Sequence, residues 1–168
     1  MDGNIRALYI KALSHYLYAS DEEHIPVRWK RDMEKEIEAL TKNGVEILEN
    51  YRSKAYNRDA IVLFSEVPFR VKILGYLFTG TIDQARRNVG GSISLIDFKS
   101  SKMRPNQYAL PNDLQLTLYS YALKFGEVLV DDIWVKPNMM VDSAGIYFLR
   151  GHEVYKRKVT GKEIGDEK

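Results

Sequence analysis

The stretch that most constrains this chain is residues 80–99, GTIDQARRNVGGSISLIDFK. Two runs rich in β-branched and apolar residues flank the turn Asn88-Val89-Gly90-Gly91-Ser92. This is the pattern of a β-hairpin, with Gly90-Gly91 supplying the positive φ angles of a tight reversal. The first run carries Gly80 and Asp83 as G-x-x-D, and the second carries Asp97 and Lys99 as D-x-K. Strand side chains alternate between faces, so Asp97 and Lys99 share one. If residues 88–92 form the loop, Arg87 faces Ile93, Asp83 faces Asp97 and Thr81 faces Lys99. Directly opposed residues have Cβ atoms roughly 5 Å apart, close enough for two carboxylates to share one cation. A two-residue Gly90-Gly91 loop would instead oppose Asp83 to Phe98 and send the aspartates to different faces. The register of the hairpin decides whether the pair can act together.

Carboxylates hold hard divalent cations such as Mg²⁺ or Mn²⁺ through oxygen. Such a cation acidifies water and offsets charge on a reacting phosphate. A lysine beside it can orient or deprotonate the water, or donate to a phosphate oxygen. Phosphodiester hydrolysis asks for this set. Taken singly, each piece has a plainer reading: strand-end turn residues for Asp83 and Asp97, a solvated side chain for Lys99.

Upstream, Ile5, Leu8, Tyr9, Ala12, Leu13 and Tyr16 recur at helical spacing and predict an amphipathic helix over about 4–19. Asp21, Glu22 and Glu23 interrupt it, and Pro26 can open a second helix. The stripe Trp29, Met33, Ile37, Leu40, Ile47, Leu48, Tyr51 keeps one phase through Gly44, so we read one helix to about Tyr51. Residues 60–71, AIVLFSEVPFRV, form a strand in which Pro68 marks an edge or a bulge. A turn at Gly75 leads into a strand from about Tyr76 to Arg86 or Arg87, and the next strand runs from Ile93 to about Ser100. A polar loop follows. Asn112 or Asp113 then caps a helix to about Phe125, with Gly126 at its C′ position. Leu114, Leu118, Tyr121, Ala122 and Phe125 make the core stripe of that helix, and Gln115 and Tyr119 lie one turn apart on its flank. Strands around 133–135, 144–150 and 154–159 complete the chain, the last two a hairpin over Gly151, before a frayed end.

Taken in order, G-x-I-D, the Gly-Gly hairpin, I-D-F-K-S and Q-x-x-x-Y on a helix resemble the PD-(D/E)xK nuclease superfamily. The likeness is greatest to its RecB-like exonuclease branch, which includes the nucleases of CRISPR adaptation. The matching residues are Glu66 and Phe69, Gly80 to Asp83, Ile96 to Ser100, and Gln115 with Tyr119, within roughly residues 45–125. The resemblance implies a single α/β domain over 1–168 of restriction-endonuclease-like architecture, a central mixed β-sheet flanked by helices. Residues 1–55 would be mainly helical and 60–160 the catalytic core. It further implies that Asp83, Asp97 and the Phe98 carbonyl are metal ligands, and that Lys99 is the catalytic lysine. Gln115 and Tyr119 would handle the DNA backbone or position Lys99. Glu66 would face the metal or form a strand-edge ion pair. The implied activity is Mg²⁺- or Mn²⁺-dependent hydrolysis of DNA, exonucleolytic, in repair, recombination or phage DNA processing. A helicase or recombination protein is the implied partner. The alternative is a domain that keeps the fold as a DNA-binding or protein-docking module without turnover. One departure stands out: that branch places a histidine on an upstream helix to complete the metal shell. Here Gly3 is followed four residues on by Ala7, His15 lies at the edge of an apolar stripe, and His24 sits among acidic residues.

Composition bears on this reading in three ways. A net charge of +2 over 168 residues does not announce a polyanion partner, so the positive charge must be local. Arg86 and Arg87 by the hairpin tip, with Lys102 and Arg104 after Lys99, supply it. The absence of cysteine excludes a disulfide, a thiolate zinc site and a Cys-ligated iron–sulfur cluster, which separates the chain from cluster-holding members. Without a long apolar run or a signal-peptide pattern, the expected setting is cytoplasmic, with no membrane partner.

Overall fold

A computed structural model of the protein describes residues 4–22, 28–30, 32–54, 59–101, 113–150 and 153–159. The chain divides into two compact units, Met1–Tyr56 and Asn57–Lys168.

In the first unit, α1 (Ile5–Glu22) packs on α2 (Met33–Lys54). Asn4 opens α1, its Oδ1 accepting the N–H groups of Arg6 at 3.1 Å and Ala7 at 3.4 Å. The helix continues through Asp21 and Glu22, expected to interrupt it, because neither breaks backbone geometry as Gly or Pro would. The second helix begins later than expected, and Trp29 lies outside it. Asp32 is the better start: its Oδ1 accepts the Lys35 N–H at 3.3 Å and so satisfies a donor that Pro26 has no side chain to reach. Pro26 and His24 lie outside the described residues. α2 does pass unbroken through Gly44. A Cβ there would collide with the Tyr9 ring of α1, so the position leaves room for that ring.

The second unit is built on a seven-stranded sheet in the order β5-β4-β1-β2-β3-β6-β7. Its strands are β1 (Ile61–Ile73), β2 (Tyr76–Arg87), β3 (Ile93–Lys99), β4 (Glu127–Val130), β5 (Ile133–Val135), β6 (Ser143–Phe148) and β7 (Glu153–Lys158). Among the described residues only β3 and β6 run parallel, so the sheet is mixed and the fold α/β, as expected. One helix among the described residues, α3 (Leu114–Phe125), packs on it.

The hairpin turns follow their residues. Leu74 and Gly75, with φ of 49° and 85°, make the two-residue reversal between β1 and β2. Between β2 and β3 the Asn88 N–H donates to the Ser92 carbonyl at 2.9 Å, and Gly91 alone has a positive φ, 84°; Gly90 does not. Pro68 lies just before Phe69, where pairing with β4 begins, so among the described residues β1 up to that point has β2 as its only partner. The irregularities of β1 lie upstream, in a register shift between Val62 and Phe64 and a φ of 48° at Glu66.

Asp113 caps α3, its Oδ1 accepting the Leu116 N–H at 2.9 Å. Two expectations for this helix are corrected. Gly126 is extended, with φ −95°, and its small size matters because a Cβ would lie 2.7 Å from the Arg70 carbonyl oxygen. The buried stripe is Leu116, Tyr119, Ser120, Ala122 and Leu123, whereas Leu114 is 79% and Phe125 43% exposed. Apolar residues surround most of this helix, so periodicity alone does not fix which side is inward. The sheet does, with Val67, Phe69, Val71, Ile82, Leu95 and Ile146 packed in the same core. Each fully buried side chain of this size contributes about 1.5–3 kcal/mol. The short strand β4 has no separate signal in the sequence, since it follows α3 after Gly126 alone. β6 stops at Phe148, two residues early, because Leu149 and Arg150 already turn; Gly151 lies outside the described residues. No helix among the described residues is long and apolar enough to cross a membrane.

Candidate active site

The hairpin adopts the five-residue-loop register. Arg87 opposes Ile93 and Gln84 opposes Ile96. The ladder stops there, one pair short of Asp83 and Asp97. Beyond that point an Asp83 side chain replaces the backbone partner, its Oδ2 accepting the Phe98 N–H at 2.7 Å. A strand residue sends its N–H and C=O toward the same neighbour, so the Phe98 carbonyl lies on the edge where Asp83 stands. On the other side of β3, β6 pairs along its whole length and the Phe98 and Tyr147 rings meet edge to face at 6.1 Å. The end of β3 is thus held on one side by backbone pairing and on the other by the Asp83 side chain.

Asp97 and Lys99 point to the face that α3 covers, because Leu95 two residues earlier is in that core. Lys99 Nζ lies 2.9 Å from Asp97 Oδ2 and donates to Oδ1 at 3.3 Å. It also donates to Gln115 Oε1 at 3.0 Å, and Gln115 Nε2 donates to the Tyr119 hydroxyl at 2.6 Å. The Q-x-x-x-Y spacing on α3 and the D-x-K spacing on β3 therefore meet in one continuous run of polar contacts. Asp113 was expected only as a cap, yet its charge is also felt at Asp97. Nothing in its sequence position marks that second effect.

The Asp97 side chain is 1% exposed, and burial pushes its pKa above the ordinary aspartate value, with the Asp83 and Asp113 charges adding to the rise against the pull of Lys99. For Lys99, burial disfavours the charge, but the hydrogen bond to Asp97 and the charges of Asp97 and Asp83 outweigh it and raise the ammonium's pKa. Burial, then the Asp97 and Asp83 charges, likewise raise the Tyr119 hydroxyl. A raised carboxyl pKa contributes stability that is present below the ordinary value of 3.8 and lost as pH rises through the folded value. Asp97→Asn should therefore gain stability relative to the parent as pH climbs from about 3.5 to 7. Urea unfolding of both proteins across that range checks this; a constant or shrinking difference contradicts it.

The residues present suit a hard divalent cation. Asp97 Oδ2 is buried and, 2.9 Å from the Lys99 ammonium, receives no aligned hydrogen bond among the described residues. Asp83 has one oxygen committed to Phe98 and the other without a described partner. Two carboxylates and a carbonyl are oxygen donors of the kind Mg²⁺ and Mn²⁺ select. No group of three His, Cys, Asp or Glu side chains converges among the described residues.

The other expected residues divide. Arg87 is exposed beside the turn. Arg86 is not part of a basic rim: it is only 7% exposed, on the face of β2 opposite to that of the core residue Ala85. Lys102 and Arg104 lie outside the described residues. Glu66 is exposed with its left-handed φ, and the flanking pairs Ser65–Gln84 and Val67–Ile82 set it level with Asp83. His15 is exposed on α1 in the first unit.

No curated protein matches this chain. A family profile does, that of the PD-(D/E)XK nuclease superfamily, over residues 9–164. The match spans nearly the whole sequence and includes both strands and the helix that meet at Lys99. On that extent of agreement the chain belongs to the PD-(D/E)XK nuclease superfamily.

Proposed function

We propose that this site hydrolyses DNA phosphodiesters with Mg²⁺ or Mn²⁺, with Asp83, Asp97 and the Phe98 carbonyl holding the cation and Lys99 as the catalytic lysine. The observation that carries the reading is the convergence of Asp97 and Gln115 on the Lys99 ammonium, at 3.3 Å and 3.0 Å, at the end of β3. When bound, the cation supplies charge relief to the phosphate and acidifies water. The chain's own residues do the rest. Asp97 and Asp83 keep Lys99 protonated, so at neutral pH it donates to a phosphate oxygen rather than accepting a proton. Gln115 holds the ammonium on its second side, and Tyr119 holds Gln115, which limits the directions Lys99 can take. Arg87 and the half-exposed Lys99 offer cations to the DNA backbone, with Lys102 and Arg104 following in sequence.

The likeness to the RecB-like branch supports exonucleolytic action in repair, recombination or phage DNA processing, on ends delivered by a helicase or recombination protein. Incubation with linear and covalently closed circular DNA tests this. Loss of the linear form in Mg²⁺ or Mn²⁺, sparing of the circle, and arrest by a chelator are expected. Cutting of the circle would make the enzyme an endonuclease. DNA binding without cleavage in either metal would assign the chain to the docking alternative.

A further inference from the structure

Gly80 and Phe69 face each other across the β1–β2 ladder. A Cβ at position 80 would lie 2.8 Å from Phe69 Cε1 and 3.0 Å from its Cζ. The end of a phenyl ring can often swing aside from such a contact, but this ring is 1% exposed and also meets Tyr119 edge to face, at 5.5 Å and 74°. Tyr119 in turn receives the Gln115 amide at 2.6 Å, and Gln115 receives Lys99 at 3.0 Å. A shift of the Phe69 ring therefore has a direct path to the lysine through three contacts. The backbone offers no competing reason for the glycine, since its φ is not positive, unlike Gly75 and Gly91. Glycine otherwise weakens a strand. What the position requires is room.

We propose that Gly80 and Phe69 are positioning residues for Lys99: the missing side chain at 80 lets the Phe69 ring seat where it fixes Tyr119, and through Gln115 the ammonium. The inference rests on the reading of Lys99 as the catalytic lysine. It gives the glycine of G-x-x-D a task separate from the aspartate three residues on, and assigns Phe69 a role beyond filling the core.

The test is a double-mutant cycle on linear DNA with Mn²⁺, using Gly80→Ala, Phe69→Leu and the pair. Each single change should lower kcat about tenfold with the KM for DNA within about twofold, since small displacements of a reacting group carry large rate costs. The pair should also lose about tenfold, because both changes act on one ring; a product near a hundredfold would show independent effects and overturn the proposal. Unchanged kcat in Gly80→Ala would overturn it as well. Far-UV circular dichroism and thermal melting confirm that the variants fold. A second readout needs neither metal nor DNA: the NMR signal of the Gln115 side-chain amide should move in Gly80→Ala, in the direction Tyr119→Phe moves it. An unmoved signal contradicts the linkage. If the parent leaves DNA intact, the nuclease reading fails and this signal alone decides the positioning link.

Discussion

Lys99→Ala should reduce DNA cleavage by about 10²–10³-fold or more, the cost of removing a preorganised donor to developing phosphate charge, a loss far larger than that in DNA affinity. The structural consequence is smaller and has a known sign. The substitution leaves Asp97, 1% exposed, without its counter-charge. Losing one member of a buried pair is destabilising, but the lysine side chain is 40% exposed, so screening reduces the loss to about 1 kcal/mol. Lys99→Arg should not restore activity. The guanidinium is a planar fork, and the site presents Asp97 and Gln115 to a single nitrogen at 2.9 Å and 3.0 Å. Single-turnover cleavage with thermal melting on the same samples separates the two effects. Parental cleavage by Lys99→Ala would end the mechanism proposed for this residue.

Asp83→Asn and Asp97→Asn should each lower cleavage by about a thousandfold and weaken Mn²⁺ binding by at least about tenfold, since each removes a charged oxygen from the small ligand set proposed here. Their folding behaviour should differ, and the difference is informative. A carboxamide oxygen at 83 still accepts the Phe98 N–H that Asp83 takes at 2.7 Å, so the junction of β2 and β3 survives in the asparagine variant. Asp83→Ala loses that acceptor too, leaving a half-buried donor unpaired at a cost of about 1–3 kcal/mol. Asp97→Asn removes a charge that burial disfavours, so near neutral pH it should unfold no earlier than the parent. Calorimetric titration with Mn²⁺ and urea unfolding measure the two halves of this prediction. Full-strength Mn²⁺ binding in both asparagine variants would place the cation elsewhere.

The features that carried the reading were those with a short covalent path between them. The loop at residues 88–92 and the alternation of β3 are local, and they set the register that the structure adopts, with Arg87 opposite Ile93. D-x-K and Q-x-x-x-Y are likewise single-element spacings, readable as shared faces. What depended on packing was less accessible. The inward side of α3 is chosen by the sheet, because apolar residues occur almost all round the helix, so Tyr119 was assigned to a flank and lies in the core. Arg86 and Arg87 look alike in sequence, but Arg86 is buried within the sheet and Arg87, the last residue of β2, is exposed. The start of α2 turned on which residue could cap it, and Asp32 prevailed over Pro26 by a hydrogen bond that composition does not reveal. Phe69 was visible as a spacing from Glu66, whereas its contact with Tyr119 joins residues fifty apart in sequence and needed coordinates.

The central claim is that Asp83, Asp97 and the Phe98 carbonyl form one cation site beside Lys99. Anomalous diffraction from crystals soaked in Mn²⁺ tests it most directly. The account predicts a peak at inner-sphere distance, roughly 2 Å, from oxygens of both aspartates and from the Phe98 carbonyl. A peak bound by other residues, with Asp83 and Asp97 left outside its coordination sphere, would contradict it.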